Sequence, residues 1–184
     1  DSMLLEIVTR HIQGRPAMLA ANMASVKALA KGAPDLVKQT ILLDEVGRGV
    51  SWANAQLAEF EPVGDYVWLL DDDDVAIDMS LAWGLLEIAE RQPDLIMMRM
   101  DHGPGIGILP DAWHWRKRPV MGQFGCSSFI TDAAHWRRCR GAWNASYAAD
   151  ADFVRHAFDQ TTAVEWRDVV ASRCQRAKSN GAPE

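Results

Sequence analysis

Tyr66-Val67-Trp68-Leu69-Leu70-Asp71-Asp72-Asp73-Asp74 sets five apolar residues directly against four carboxylates. An apolar run of strand-forming type, bounded by Gly64-Asp65 before it and a polar cluster after it, reads as a buried central strand. The acids then lie at its C-terminal end, and in open α/β sheets that edge is where ligands bind. Four like charges within roughly 10 Å of chain, at about 3.3 Å per residue, repel one another unless water or a shared cation compensates them. In an extended chain Asp71 and Asp73 point to one side, Asp72 and Asp74 to the other. One face therefore offers two hard oxygen ligands for Mg²⁺ or Mn²⁺, an ion that fills its shell with water and substrate phosphates. The competing reading is a solvated acidic loop, with Asp78 capping the next helix and Asp74 exposed nearby.

Upstream of this stretch the pattern alternates. Residues 4–9 read as a first strand, Arg10 to Arg15 as a polar turn, and Pro16 as the first residue of a helix. Leu19, Met23, Val26 and Ala30 recur at helical spacing. Lys31-Gly32-Ala33-Pro34 ends that helix, and Val37 to Leu43 makes a second strand ending at Asp44. A glycine-bearing loop at 45–49 leads to a short helix from Ser51 to Phe60. Downstream, Asp78 opens a third helix with Ile77, Leu81, Leu85 and Ile88 on one face, and Leu95 to Met100 make a fourth strand ending at Asp101-His102. Alternating strands and helices predict a mostly parallel α/β sheet flanked by helices.

After residue 102 regularity is lost. Gly103, Pro104, Gly105 and Gly107 are followed by Trp113, His114 and Trp115, then by the basic cluster Arg116-Lys117-Arg118. A strand is expected at Ser127 to Thr131, a helix capped by Asp132, a helix over Ala149–Phe158, and a last strand at Thr161 to Trp166. The polar stretch from Arg173 to Glu184 is expected to be loose. Trp113 and Trp115, two apart, would share one face of a strand, either as a stacking platform for a sugar or base or as cover for the sheet. The small residues of Gly122 to Ser127, among them Gly125, leave room for an acceptor. Cys126 reads as a packed thiol, because no histidine is fixed beside it in sequence.

Composition narrows the class. The chain has 184 residues, 48% hydrophobic and 24% charged, which suits one globular domain with a real core. No apolar run approaches the ~20 residues of a membrane span. The net charge of -6 disfavours a nucleic-acid partner, although Trp113, Trp115 and the basic cluster permit one locally. Three widely spaced cysteines form neither a zinc pattern nor a disulfide framework, so a cytoplasmic, reducing setting is expected.

The order of these pieces resembles family 2 glycosyltransferases of the GT-A fold. The residues that carry it are Thr9 to Arg15-Pro16, then Asp44, Asn54, Gly64-Asp65-Tyr66-Val67 and the acids at 71–74. The resemblance implies one domain over 1–184: a nucleotide-sugar-binding half at 1–102, an acceptor side at 103–170 and a tail at 173–184. It implies a nucleotide-diphosphate sugar donor, a UDP-sugar first, with Mn²⁺ or Mg²⁺ on Asp73 and Asp71. It implies donor contacts at Thr9, Arg10, His11, Asp44, Asn54, Asp71 and Asp72. Ala149-Asp150-Ala151-Asp152 stands where the family has its Glu-Asp pair, which makes Asp152 the expected base. Ala151 replaces the glutamate, so Asp150 stays the alternative. The activity implied is inverting transfer to an acceptor hydroxyl, with a second subunit of the same chain as one way to complete the acceptor site. A nucleotidyltransferase and a non-catalytic nucleotide- or metal-binding relative are the other readings of the same residues.

Overall fold

The computed structural model describes residues 3–175. Five strands and three helices alternate through the first half: β1 (Leu5–Ile12), α1 (Pro16–Ala30), β2 (Val37–Asp44), α2 (Val50–Glu59), β3 (Tyr66–Leu69), β4 (Asp74–Ala76), α3 (Leu81–Ala89) and β5 (Leu95–Asp101). The remainder adds β6 (Ile108–Leu109), β7 (Phe129–Asp132), α4 (Ala133–Cys139), α5 (Ala149–Asp159) and β8 (Val164–Cys174). All eight strands join one sheet in the order β2-β1-β3-β7-β5-β8-β4, with β6 beside β5.

β1 runs parallel to β2 and β3, and β5 runs parallel to β8. Between these two parallel groups sits β7, antiparallel to both β3 and β5. β7 is the exception in a sheet expected to be mostly parallel, and the reason is where the chain re-enters it. β5 ends on the same edge as the acids, and the segment that follows stays on that edge. A strand entering from there must run against its neighbours. The sheet is still mostly parallel, since β1, β2, β3, β5 and β8 all point one way.

The central strand shows the two-residue period of a sheet buried on both faces. Tyr66, Trp68 and Leu70 pack with Val26 and Leu29 of α1 and with Leu81 and Leu85 of α3. Val67 and Leu69 pack on the other face with Leu57 of α2, Trp136 of α4 and Phe153 of α5. The turn before this strand needs its glycine. A Cβ on Gly64 would lie within 2.8–2.9 Å of the Glu6 side chain and the backbone of the first strand. Buried Glu6 in turn accepts the backbone N–H groups of Val63 and Gly64 at 2.7 and 3.0 Å.

Three expectations change. The buried stripe of α1 is Asn22, Val26 and Leu29, and Met23 faces solvent. The helix is rotated so that the Asn22 amide, rather than another apolar group, meets the loop after β3. The last strand is not a short one ending at Trp166. β8 has 11 residues and runs to Cys174, past the point where a loose tail was expected. It is held by pairing with β5 on one side and β4 on the other. The rest of that tail, 176–184, lies outside the described residues. Finally, Trp113 and Trp115 lie in consecutive turns, not in a strand. Among the described residues no helix is long and apolar enough to cross a membrane.

Candidate active site

A cavity of about 760 Å³ opens at the edge where β1, β3 and β5 end. Its floor is the acidic run. The chain does not stay extended through it: the Asp74 N–H donates to the Asp71 carbonyl at 2.9 Å, closing a turn. That turn replaces the two-sided pattern expected of a strand. Carboxylate oxygens of Asp71, Asp73 and Asp74 come within 4.8 Å of one another. Asp72 points elsewhere. It accepts from His11 Nδ1 at 2.8 Å, from the Ile12 N–H at 3.1 Å and from Arg15 Nη1 at 2.8 Å, and so pins the turn between β1 and α1.

Two groups hold the acidic loop by its backbone. Asn22 Nδ2 donates to the carbonyls of Leu70, Asp71 and Asp74 at 3.2, 2.9 and 2.9 Å. Gln175, just after β8, donates its backbone N–H to the Asp73 carbonyl at 2.7 Å and its Nε2 to the Asp72 carbonyl at 2.9 Å. Sequence reasoning missed both residues, because a mid-helix asparagine and a residue after the last strand carry no motif.

Arg10 is the hub of the site. Its guanidinium makes a two-pronged pair with Asp71, Nε to Oδ1 at 2.7 Å and Nη2 to Oδ2 at 2.5 Å. It also donates to Asn54 Oδ1 at 2.7 Å and Cys126 Sγ at 3.0 Å. Asn54 Nδ2 reaches on to the Ser146 carbonyl at 3.0 Å. One cation thus ties β1 to the acidic loop, to α2 and to the loop before α5. Burial alone would lower the Arg10 pKa, but Asp71, Cys126 and Asp150 outweigh it and hold the group charged.

The acids differ in their surroundings. Burial pushes the Asp74 carboxyl well above the ordinary range, and the charges of Asp73 and Asp71 push it further, against a hydrogen bond from Ser127 Oγ at 3.0 Å. So much negative charge around one point suits a hard divalent cation, and the three oxygen donors fit Mg²⁺ or Mn²⁺. Asp150, in the first turn of α5, lines the same cavity. Burial raises its carboxyl above the ordinary range, opposed by the Ala151 N–H and by Arg10, and Asp71 adds to the rise. Asp152 does not line the cavity. It pairs with Arg155 at 2.6 Å and accepts from Asn144 at 3.0 Å.

The other candidate residues separate in the same way. Asn54, Asp71, Asp72 and Arg10 line the cavity. Thr9 is buried between β1 and α1, with Oγ1 accepting from Gln39 at 2.8 Å. Asp44 is buried beneath the glycine loop and accepts the Gly49 N–H at 2.6 Å. Burial would raise the Asp44 carboxyl, but the backbone N–H groups of Arg48 and Gly49 and the Arg48 side chain hold it below the ordinary range. Trp115 stacks edge-on against Trp166 at 5.0 Å, while Trp113 stands out in solvent under Lys117. Neither lines the cavity, whereas Gly122, Gln123, Phe124, Gly125 and Cys126 do. His102 also lines it, kept neutral because burial lowers its pKa, with Nδ1 3.6 Å from Cys174 Sγ.

No family model matches the chain, and no curated protein matches it. Solved structures do. TarS 1–349 from S. aureus in complex with UDP-GlcNAc aligns with a TM-score of 0.68 at 13% identity, over 97% of this chain and 60% of that one. The mannosyltransferase PcManGT from Pyrobaculum calidifontis, in complex with GDP-Man and Mn²⁺, aligns at 0.66 and 12% identity, over 98% of this chain and 58% of that one. A glycosyltransferase involved in glycosylation of the major capsid of PBCV-1 aligns at 0.59 and 8%, over 96% and 94%. The chain therefore spans about 60% of the length of the first two. At these identities the likeness shows the fold, a GT-A-like α/β arrangement.

Proposed function

We propose that this chain is a metal-dependent inverting glycosyltransferase that uses a nucleotide-diphosphate sugar. The observation that carries the proposal is one cavity with Asp71, Asp73 and Asp74 clustered on its floor and the half-buried carboxyl of Asp150 within electrostatic reach of Arg10 and Asp71. The likeness in fold to proteins solved with UDP-GlcNAc and with GDP-Man and Mn²⁺ supports it. Membership of family 2 rests on the order of motifs in the sequence.

Each residue then has a task. Asp71, Asp73 and Asp74 would hold Mn²⁺ or Mg²⁺, which when bound supplies Lewis-acid neutralisation of the departing diphosphate. Arg15 Nη1 stands 3.4 Å from Asp73 and adds positive charge to that side of the floor. Asn54 and Arg10 shape the wall between floor and acceptor side. Asp150 is the base: it takes the acceptor hydroxyl proton while the acceptor oxygen bonds to the anomeric carbon and the bond to the diphosphate oxygen breaks. A raised pKa suits a carboxylate that must hold a proton in the transition state. Asp150 replaces Asp152 in this role because Asp152 is engaged with Arg155 outside the cavity.

The test is a melting-temperature panel of UDP, GDP, CDP and TDP, each with Mn²⁺ and with EDTA. A ligand that binds only the native state raises Tm by mass action. Stabilisation by one nucleotide that disappears in EDTA and in Asp73→Ala is the expected result. No stabilisation by any of the four, with metal present, sinks the proposal.

A further inference from the structure

The mouth of the cavity differs in kind from its floor. Val50, Ile106, Met121 and Tyr147 line the opening. Ile106 is 51% exposed, Met121 64% and Tyr147 74%. Large apolar side chains left in water around a concave opening mark a surface that a ligand covers. Ile106 is not on a loose loop. It sits in a turn closed by the Gly107 N–H on the Gly103 carbonyl at 2.9 Å and by the His102 N–H on the Gly107 carbonyl at 2.9 Å. Gly105 and Gly107, on either side of Ile106, have φ of 88° and 82°, which glycine adopts at little cost. The side chain is presented by a defined backbone.

Met100 and Phe124, both buried, line the same cavity and carry the apolar surface inward. Tyr147 stands three residues before Asp150, at the start of α5. A diphosphate and sugar hydroxyls are matched by the charged floor and gain nothing from a thioether or an isoleucine. A molecule that brings a hydroxyl to Asp150 and extends outward lies among Tyr147, Met121 and Ile106.

We infer that the mouth is an acceptor subsite for a hydroxyl carried on an apolar body, an alkyl or aryl glycoside, rather than for an unmodified sugar. The assignment rests on the transferase reading, with the same proton transfer to Asp150 and the same nucleoside diphosphate as leaving group.

The test is calorimetric titration of the whole chain, with UDP or GDP and Mn²⁺ present. The probes are glucose, galactose and mannose, each against its octyl glycoside below the micelle concentration. The octyl forms should bind at least about tenfold more tightly than the free sugars, since each buried methylene adds to affinity. The double variant Ile106→Ser with Met121→Ser, both sites exposed and so tolerant in folding, should erase that difference. Nucleotide affinity, measured in the same samples, should not fall with it. Equal binding of octyl and free forms, or a difference that survives the double variant, overturns the inference and leaves the transferase reading standing. Octyl preference without any nucleotide binding overturns the acceptor assignment together with the reading beneath it.

Discussion

The cavity is built from two regions made in opposite ways. Its floor comes from the ends of β1 and β3 and the start of α1, where charged side chains are tied to one another and to the backbone. Its mouth comes from 102–126 and 143–148, where the chain is irregular and large apolar side chains stand in water. The floor is fixed by ion pairs and hydrogen bonds: Arg10 on Asp71, Arg15 on Asp72, Asn22 and Gln175 on the loop carbonyls. Buried ion pairs of this geometry fix positions more than they add stability. On the proposed function, the difference teaches that donor chemistry can sit on the sheet, while the choice of acceptor is left to loops that change without disturbing it.

The contrast can be broken most sharply at the two aspartates of α5. Asp150→Asn should lower kcat by 10²-fold or more, about the worth of a general base, with nucleotide binding retained. Asp152→Asn should change kcat by no more than about threefold. The reverse ranking would return the base to the position first expected from the sequence.

Next comes the floor. Arg10→Met leaves the half-buried Asp71 without its two-pronged partner, and should cost about 2 kcal/mol in urea denaturation. A loss below about 1 kcal/mol would mean that solvent already compensates Asp71 and that the floor is less rigid than its hydrogen bonds indicate.

A smaller effect separates function from stability at one residue. The folded Asp150 pKa is raised by burial, so the folded state binds more protons than the unfolded state between the ordinary and the raised value. Its contribution to stability is intact below the ordinary carboxylate pKa and declines as pH rises through that window. Asp150→Asn removes the decline. The variant should melt higher than the parent at pH 7, and the gap should close at about pH 3.5, below the ordinary carboxylate value. A gap of the same size at both pH values would assign the effect to something other than titration.

The smallest effect belongs to the exposed tryptophan. Trp113→Ala should shift stability by less than about 0.5 kcal/mol, as a surface change does. Trp115→Ala, which removes the edge contact with Trp166 and the Arg99 guanidinium stacked 4.5 Å over the ring, should cost about 1 kcal/mol or more. If Trp113 matters more, for binding or for folding, the exposed turn that carries it has a role that its packing does not reveal.

The same two regions differ in how much of them could be read from the residues alone. Hydrophobic period, Pro16 and Gly64 locate β1, α1, β2, α2, β3, α3 and β5, because each signal acts within a few residues of itself; β4, three residues held by pairing with β8, carries no such signal. The acids at the end of β3 mark the ligand edge for the same reason. Which acids converge is another matter. Asp74 joins Asp71 and Asp73 only because the chain turns there, and that turn is held by Asn22 from α1 and Gln175 after β8, far away in sequence. Asp150 and Asp152 are equivalent as sequence, two acids in one helical turn; only the packing of α5 puts one in the cavity and the other against Arg155. The antiparallel entry of β7 and the length of β8 follow from where the chain re-enters the sheet. Local propensity is written in short windows, whereas register, burial and the meeting of charges depend on partners that only folding brings within reach.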